Sequence, residues 1–428
     1  MANAQARILV IGAGFAGLWS ALAARRFIAN TSSEGASRIE VVVISPKDEL
    51  VIRPRLYEAE PGKMSAPLAD LFAAAGIQFV KGTVDAVNTA DREVSLVDAA
   101  GARSSISYDR LVMAAGSRLV RPNIVGLVEH AFSVDCIEEA AQLDQHLQSL
   151  AKLPSSPARN TVVICGGGFT GIEVAAEIPA RLRAVLGHDA DIRVVVVERA
   201  DAIGPELGPG PRPVITEALE KLGVETKLGE AVSGIDATGV TTASGERIEA
   251  LTAIWTGGMA ANALAQQIPG GKDKLGRFHT DRTLRVPATP DVFATGDTAN
   301  ADTGDDGHHH ALMSCQHAMI LGRTAGNNAA ADLMGSPLTP YTQEMYTTCL
   351  DLGPAGAVVT AGWDRNVVLA GEHAKKVKQW INGVLIYPPK ADTKEALALA
   401  DPNAEIGDQC PEWLSSLVFK RPVRPSAA

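Results

Sequence analysis

Two glycine-rich turns about 150 residues apart restrict this chain more than anything else in it. The first lies in Ile8 to Leu18, ILVIGAGFAGL, where an aliphatic run ends in Gly12, Ala13, Gly14, Phe15, Ala16 and Gly17 and a helix-like stretch follows. This is G-x-G-x-x-G in the strand-to-helix setting that the motif requires. Gly12 permits the tight turn, Gly14 lets backbone approach a pyrophosphate, and Gly17 lets the helix pack close to the strand. The helix start, at Phe15 and Ala16, offers N–H groups and a positive dipole end to phosphates. One such turn is a weak signal. The second, TVVICGGGFTGIEVAA from Thr161 to Ala176, sets Gly166, Gly168 and Gly171 at the same spacing. Together they predict an α/β chain with two Rossmann-like dinucleotide-binding domains. The usual ligands of such a pair are a flavin and a nicotinamide.

Size and charge narrow the function classes. A chain of 428 residues has room for two or three domains. The formal net charge of -10, with no basic stripe among aromatics, argues against nucleic acid as a partner. No apolar run reaches roughly 18 residues, so no spanning helix is expected. The amino terminus enters a strand without a cleavable leader, which predicts a cytoplasmic protein and leaves contact with a membrane surface open. The five cysteines, Cys136, Cys165, Cys315, Cys349 and Cys410, form no C-x-x-C pair and no zinc pattern with histidine. They read as reduced thiols and argue against a dithiol-disulfide pair beside the flavin. His308, His309 and His310 are adjacent, point different ways and lack a carboxylate or cysteine at suitable spacing, so a polar loop is expected and no metal.

The first β-α-β unit has its second strand at Ile39 to Ile44, where an acidic residue often ends the strand and binds a ribose. Ser45 stands there instead. The stretch from Glu49 to Glu60, with Arg53 and Arg55, either covers a cofactor or is a solvated loop. Tyr108 to Gly116, YDRLVMAAG, is an apolar strand whose end, Ala115 and Gly116, is small enough to press against a cofactor. In the second unit the aliphatic run Ile192 to Val197 ends in Glu198. A carboxylate there binds the adenine ribose of NAD and repels the extra phosphate of NADP, so NADH is expected. Glu173, two residues past Gly171, either looks along a nicotinamide cleft or faces solvent; for Glu177 solvent is the expectation. Ile254 to Gly258, IWTGG, brings Gly257 to the nicotinamide side. VFATGDT stops a strand at Gly296 and follows it with Asp297, placed to accept a hydrogen bond from a sugar-alcohol chain. A helix pattern runs from Ala311 to Met334. Ala311 and Leu312 head it, and Cys315, Gln316 and His317 lie in its first turns. Gln316 either donates to an acceptor's carbonyl or is a buried structural amide. From Pro340 a small α+β unit follows, with strands at 346–352, 357–361 and 367–370, then Lys375, Lys376, Lys378 and Trp380. The expected division is 1–120 and 271–340 for a two-part FAD-binding domain, 121–270 for NAD(H), and 341–428 for an interface or acceptor domain.

In this order, glycine turn, YDRLVMAAG, GGGFTGIE, VER, IWTGG, ATGD, the Gln316 helix and IYPP, the chain resembles the two-dinucleotide-binding-domain flavoproteins over roughly residues 5 to 390. Within them it looks most like type II NADH dehydrogenases (NADH:quinone oxidoreductases). The resemblance implies an enzyme with FAD on the first unit, NADH on the second, a quinone-like small-molecule acceptor, and a carboxy-terminal domain for dimerisation or peripheral contact with the inner face of the membrane. A homodimer is expected. It implies Glu173 between the nicotinamide and quinone sites, Glu198 on the NADH ribose, Asp297 on FAD, Gln316 at the quinone and Lys376 near the flavin. Ser45, Cys315 in place of an alanine, and a tail without basic amphipathic helices depart from the pattern and leave a soluble acceptor open. The sulfide:quinone reductase branch is an alternative. Cys349 in TCLDLG resembles one of its cysteines, but Phe169 and Thr170 stand where the partner cysteine is expected. A flavoprotein that senses NADH with little turnover is a third reading.

Overall fold

The computed structural model describes residues 6–31, 38–304, 308–343 and 346–404. Its first sheet has six strands in the spatial order Arg285–Val286, Thr289–Ala294, Arg110–Met113, Ala6–Ile11, Ile39–Ser45 and Gln78–Lys81. Every ladder is parallel except the one that adds the short edge strand Arg285–Val286. The central strands are aliphatic without alternation because helices cover both faces, and Ile8, Leu9, Val10, Leu111 and Val112 are fully buried. The second sheet has five parallel strands, Ala131–Phe132, Thr252–Trp255, Thr161–Cys165, Arg193–Glu198 and Val224–Leu228. Each glycine turn joins the middle of its sheet to a long helix, Phe15–Asn30 or Phe169–Leu186. Beside each sheet lies a small three-stranded antiparallel one: Thr83–Asn88, Glu93–Val97 and Arg103–Ser107, or Val232–Asp236, Gly239–Thr242 and Arg247–Glu249.

The helix expected from Ala311 begins at Cys315 and runs to Leu333. Ser314 sets the start, its hydroxyl accepting the His317 N–H at 3.3 Å as an N-cap. Ala311 is held before it by backbone pairing with Ala301. This helix lies on Phe15–Asn30 with backbones in contact. A Cβ on Gly322 would come 2.5 Å from the Ala16 carbonyl oxygen, and one on Gly326 would come 1.9 Å from that of Ser20.

The last unit is an antiparallel sheet, Thr347–Asp351, Ala357–Ala361 and Asn366–Gly371, packed under the helix Glu372–Trp380. The chain then returns to the first unit. Thr393 Oγ1 donates to the Ala74 carbonyl at 2.8 Å, and Arg26 pairs with Asp401. Among the described residues no helix is long and apolar enough to cross a membrane.

Candidate functional site

At the first glycine turn the backbone departs from what a side chain tolerates. Gly12 has φ of +107°, and a Cβ on it would lie 2.4 Å from the Ala114 carbonyl oxygen. A Cβ on Gly17 would lie 1.9 Å from the Gly12 carbonyl oxygen, so helix and turn touch there. Gly14 is different: a Cβ on it would meet nothing within 4 Å. The cradle at the N–H groups of Phe15 and Ala16 is therefore open, with the shape a pyrophosphate needs. Ala115 and Gly116 end the neighbouring strand, and Ser45 ends the other, half-buried.

Asp297 closes this cradle from the far end of the chain. Gly296 turns with φ of +60° against the first helix, so close that a Cβ would lie 2.7 Å from the Ala16 methyl. Asp297 accepts a hydrogen bond from Ser117 Oγ at 2.6 Å and has Arg53 Nη1 at 3.8 Å. Burial pushes the carboxyl up, and Ser117 and Arg53 oppose that. Arg53 also pairs with Asp135 and donates to Ser117 Oγ at 2.9 Å. The Arg53 loop thus faces the candidate cofactor site. Ser117 and Asp135 belong to it too, although nothing in their sequence surroundings marks them. Ala311 and Leu312 lie in the approach to the helix and not in it; Arg277 Nη1 donates to the Ala311 carbonyl at 2.7 Å, and Leu312 is 36% exposed.

The second turn repeats the first in outline. A Cβ on Gly166 would lie 2.8 Å from Thr256 Oγ1, and one on Gly171 would lie 1.9 Å from the Gly166 carbonyl oxygen. Gly257 follows the strand so tightly that a Cβ would strike the Trp255 ring at 2.2 Å. Glu198 is buried at the strand end and accepts the Gly167 N–H at 2.7 Å and the Ala200 N–H at 2.8 Å. Its two oxygens keep further lone pairs for a ribose. At Gly168 a second carboxylate, Glu206, reaches the helix end and accepts the Phe169 N–H at 2.5 Å.

A buried charged cluster joins the second unit to the carboxy-terminal one. Glu173 Oε1 accepts Lys378 Nζ at 2.8 Å and the Asp351 N–H at 3.0 Å. Lys378 donates also to the Cys349 carbonyl at 3.0 Å. Asp351 accepts Lys375 Nζ at 2.5 Å and the Tyr57 hydroxyl at 3.0 Å. Burial pushes Glu173 up to about 7, with Lys378 pulling the other way. Burial acts to lower Lys378, and Glu173 and Cys349 more than offset it, leaving the ammonium above its ordinary value. Glu173 is therefore no solvent-facing carboxylate. Glu177, one turn on, is half-buried rather than solvated, and burial raises it as well.

Lys376 stands outside the buried cluster. Its side chain is 58% exposed and meets Glu372 at 3.7 Å on the outer face of the helix. Two residues along a helix turn a side chain by about 200°, so Lys378 faces inward with Ala374 and Val377, which are buried beside it. The buried residues Ala374 and Val377 set the phase, and the spacing i, i+3, i+4 carried that signal in the sequence.

The start of the helix Cys315–Leu333 lies between the two regions. The Cys315 thiol is pushed up to about 11 by burial, and it feels the charges of both Lys378 and Asp297. Beside it Gln316 is half-buried, its Oε1 shut off from solvent with no hydrogen-bond partner. Such an atom costs about 1–3 kcal/mol unless something donates to it. His317 is buried and pulled down to about 3 by burial, so its imidazole is neutral. Cys349 is pushed up to about 12 by burial. Cys410 lies outside the described residues. Among the described residues no three His, Cys, Asp or Glu side chains group as metal ligands.

The geometry fits two dinucleotides: an open cradle with a buried aspartate at one turn, and a buried carboxylate, Glu198, at the strand end beside the other. Comparison with known proteins agrees. The family described as pyridine nucleotide-disulphide oxidoreductase matches residues 6–322. An NADH dehydrogenase-like protein of Mycobacterium tuberculosis is 44% identical over 402 residues, covering 93% of this chain and 99% of that protein. The demethylphylloquinone reductase of Synechocystis is 29% identical over 372 residues, 84% of this chain and 88% of its own. The fold is that of NDH2 from Plasmodium falciparum solved with NADH, at a TM-score of 0.74 and 14% identity, with 92% of this chain and 97% of that one covered.

Proposed function

The chain belongs to the pyridine nucleotide-disulphide oxidoreductase family, and from that premise we propose that it oxidises NADH at a bound FAD and passes two electrons to a quinone-like acceptor. In this reading residues 1–120 and 271–340 hold FAD, 121–270 hold NADH, and 341–428 complete the acceptor site. Gly12, Gly14, Gly17 and Asp297 would hold FAD, and Gly166, Gly168, Gly171 and Glu198 would hold NADH. FAD held there would supply the two-electron redox chemistry.

The observation that carries the reading is the buried Glu173–Lys378 pair. A quinone that takes up two electrons also takes up two protons. Burial raises the Glu173 carboxyl towards neutral pH, so it is suited to hold a proton and give it up there. Lys378 orients that carboxyl and carries a positive charge beside it, suited to an anionic form of the acceptor. Gln316 has an amide able to orient an acceptor carbonyl at the neighbouring helix start. The deciding experiment is anaerobic double mixing, NADH first and a short-chain quinone second, followed by flavin absorbance. Rapid bleaching and rapid recovery are expected. Bleaching without recovery removes the quinone and leaves a soluble acceptor.

The sulfide-oxidising alternative needs a thiolate as nucleophile. Burial holds both Cys315 and Cys349 far above the ordinary thiol value, which disfavours it. A homodimer, and peripheral attachment at the cytoplasmic face of a membrane, belong to the same proposal. The exposed Val367, Val368 and Val384 of the last unit are the surface it assigns to such contacts.

A further inference from the structure

The two glycine turns share a spacing, yet their helix ends differ. At the first, the position of a Cβ on Gly14 has nothing within 4 Å. At the second, a Cβ on Gly168 would lie 2.8 Å from Glu206 Oε1. The same oxygen accepts the Phe169 N–H at 2.5 Å. The helix behind it, Phe169–Leu186, has 18 residues, long enough for a developed dipole. A carboxylate therefore sits on the N–H group and positive end that a pyrophosphate uses at this motif.

We propose that Glu206 sets the affinity for the nicotinamide dinucleotide: it is an internal anion in the pyrophosphate position and leaves that position when NADH binds. The proposal rests on the second turn being the NADH site. On binding, the hydrogen bond from Phe169 N–H to Glu206 breaks and one to a phosphate oxygen replaces it. If the carboxylate stayed, two anions would share one donor.

The surroundings let the side chain move while its backbone stays. Glu206 is exposed, whereas Leu207 next to it is 2% exposed. Gly204 N donates to the Gly167 carbonyl at 2.8 Å, which ties the loop to the turn. The displaced charge also has a cation nearby. The loop abuts the turn before Asn366–Gly371, where a Cβ on Gly210 would lie 2.5 Å from the Arg365 carbonyl oxygen. The Arg365 guanidinium is buried, stacks 4.3 Å over the Tyr346 ring, and Nη1 has no hydrogen-bond partner. Tyr346 in turn feels the charge of Glu206.

The test uses FAD-loaded full-length protein and ADP-ribose, which carries the pyrophosphate without the reacting ring. Calorimetric titration compares the native chain with Glu206→Gln and Glu206→Ala at low and high salt. The dissociation constant should fall roughly three- to thirtyfold in both variants, the range of a charge-assisted contact at a helix end. The gain should shrink as salt rises. Binding that appears only in the variants supports the proposal in its strongest form. An unchanged or weaker constant in both variants overturns it, and weaker binding would make Glu206 a ligand of the dinucleotide. If no form binds ADP-ribose and NADH bleaches no flavin, the NADH reading itself fails and takes this proposal with it.

Discussion

Glu173 and Lys378 illustrate how much depends on a single buried pair. Lys378→Met removes the partner of a buried carboxylate and should cost about 3–5 kcal/mol, read as a lowered denaturant midpoint. Lys376→Met on the same helix should stay within about 0.5 kcal/mol, because that side chain is mostly in water. Equal losses would refute the inward assignment of Lys378. The titration of Glu173 has a sign of its own. Its carboxyl is raised above the ordinary value, so the native state binds more protons than the unfolded one between about 4.5 and 7. Stability from this group should be greatest in acid and decline as pH rises to about 7. On the proposed mechanism, in which the protonated carboxyl is the donor, the quinone-reducing half-reaction should fall along the same limb. Glu173→Gln should flatten both profiles; a quinone limb that survives in the variant assigns the proton to another group. Glu198→Gln tests the other end of the site. One amide oxygen cannot serve the Gly167 and Ala200 N–H groups and a ribose as two carboxylate oxygens do. The NADH Michaelis constant should rise about tenfold or more, with FAD retained, measured by steady-state kinetics and flavin content.

At the scale of elements, the contact between Phe15–Asn30 and Cys315–Leu333 is the most demanding in the fold. Gly326→Ala places a methyl 1.9 Å from the Ser20 carbonyl oxygen, which is backbone and cannot turn away. The helices must separate, at a cost of about 1–3 kcal/mol. The expected result is a lower melting temperature with loss of FAD, because Ala16 and Gly296 meet at the same contact. Much of this level was legible in the sequence. The aliphatic runs at Ile8, Val41, Val162 and Val194 read as buried parallel strands, and they are. The glycine turns gave each strand its helix. Less legible was the head of the helix at Cys315, because its apolar period continues backward through Ala311 and only Ser314 as a cap sets the boundary. Which of the three lysines within four positions turns inward was not legible from the residue types, because only the buried phase of Ala374 and Val377 sets Lys378 apart. Glu206 gave no sign at all. It lies in a loop of prolines and glycines, and its meaning comes from a contact 37 residues back in the chain.

At the scale of the molecule, the two sheets are assembled from very different lengths of chain. All five strands of the second lie between Ala131 and Trp255. Those of the first begin at Ala6 and finish only at Ala294. Asp297, the helix Cys315–Leu333 and the clasp from Asp401 to Arg26 come later still. Seen as a sequence of events on the ribosome, chain order and completion order are reversed. The unit begun second is finished first, while the unit begun first waits, its glycine turn made but its opposite wall not yet synthesised. Domains generally fold as they emerge, and this one has to emerge twice. The first glycine turn therefore stays without the wall that completes its cradle until Ala294 and Asp297 have been made, by which point every strand of the second sheet is already in the chain.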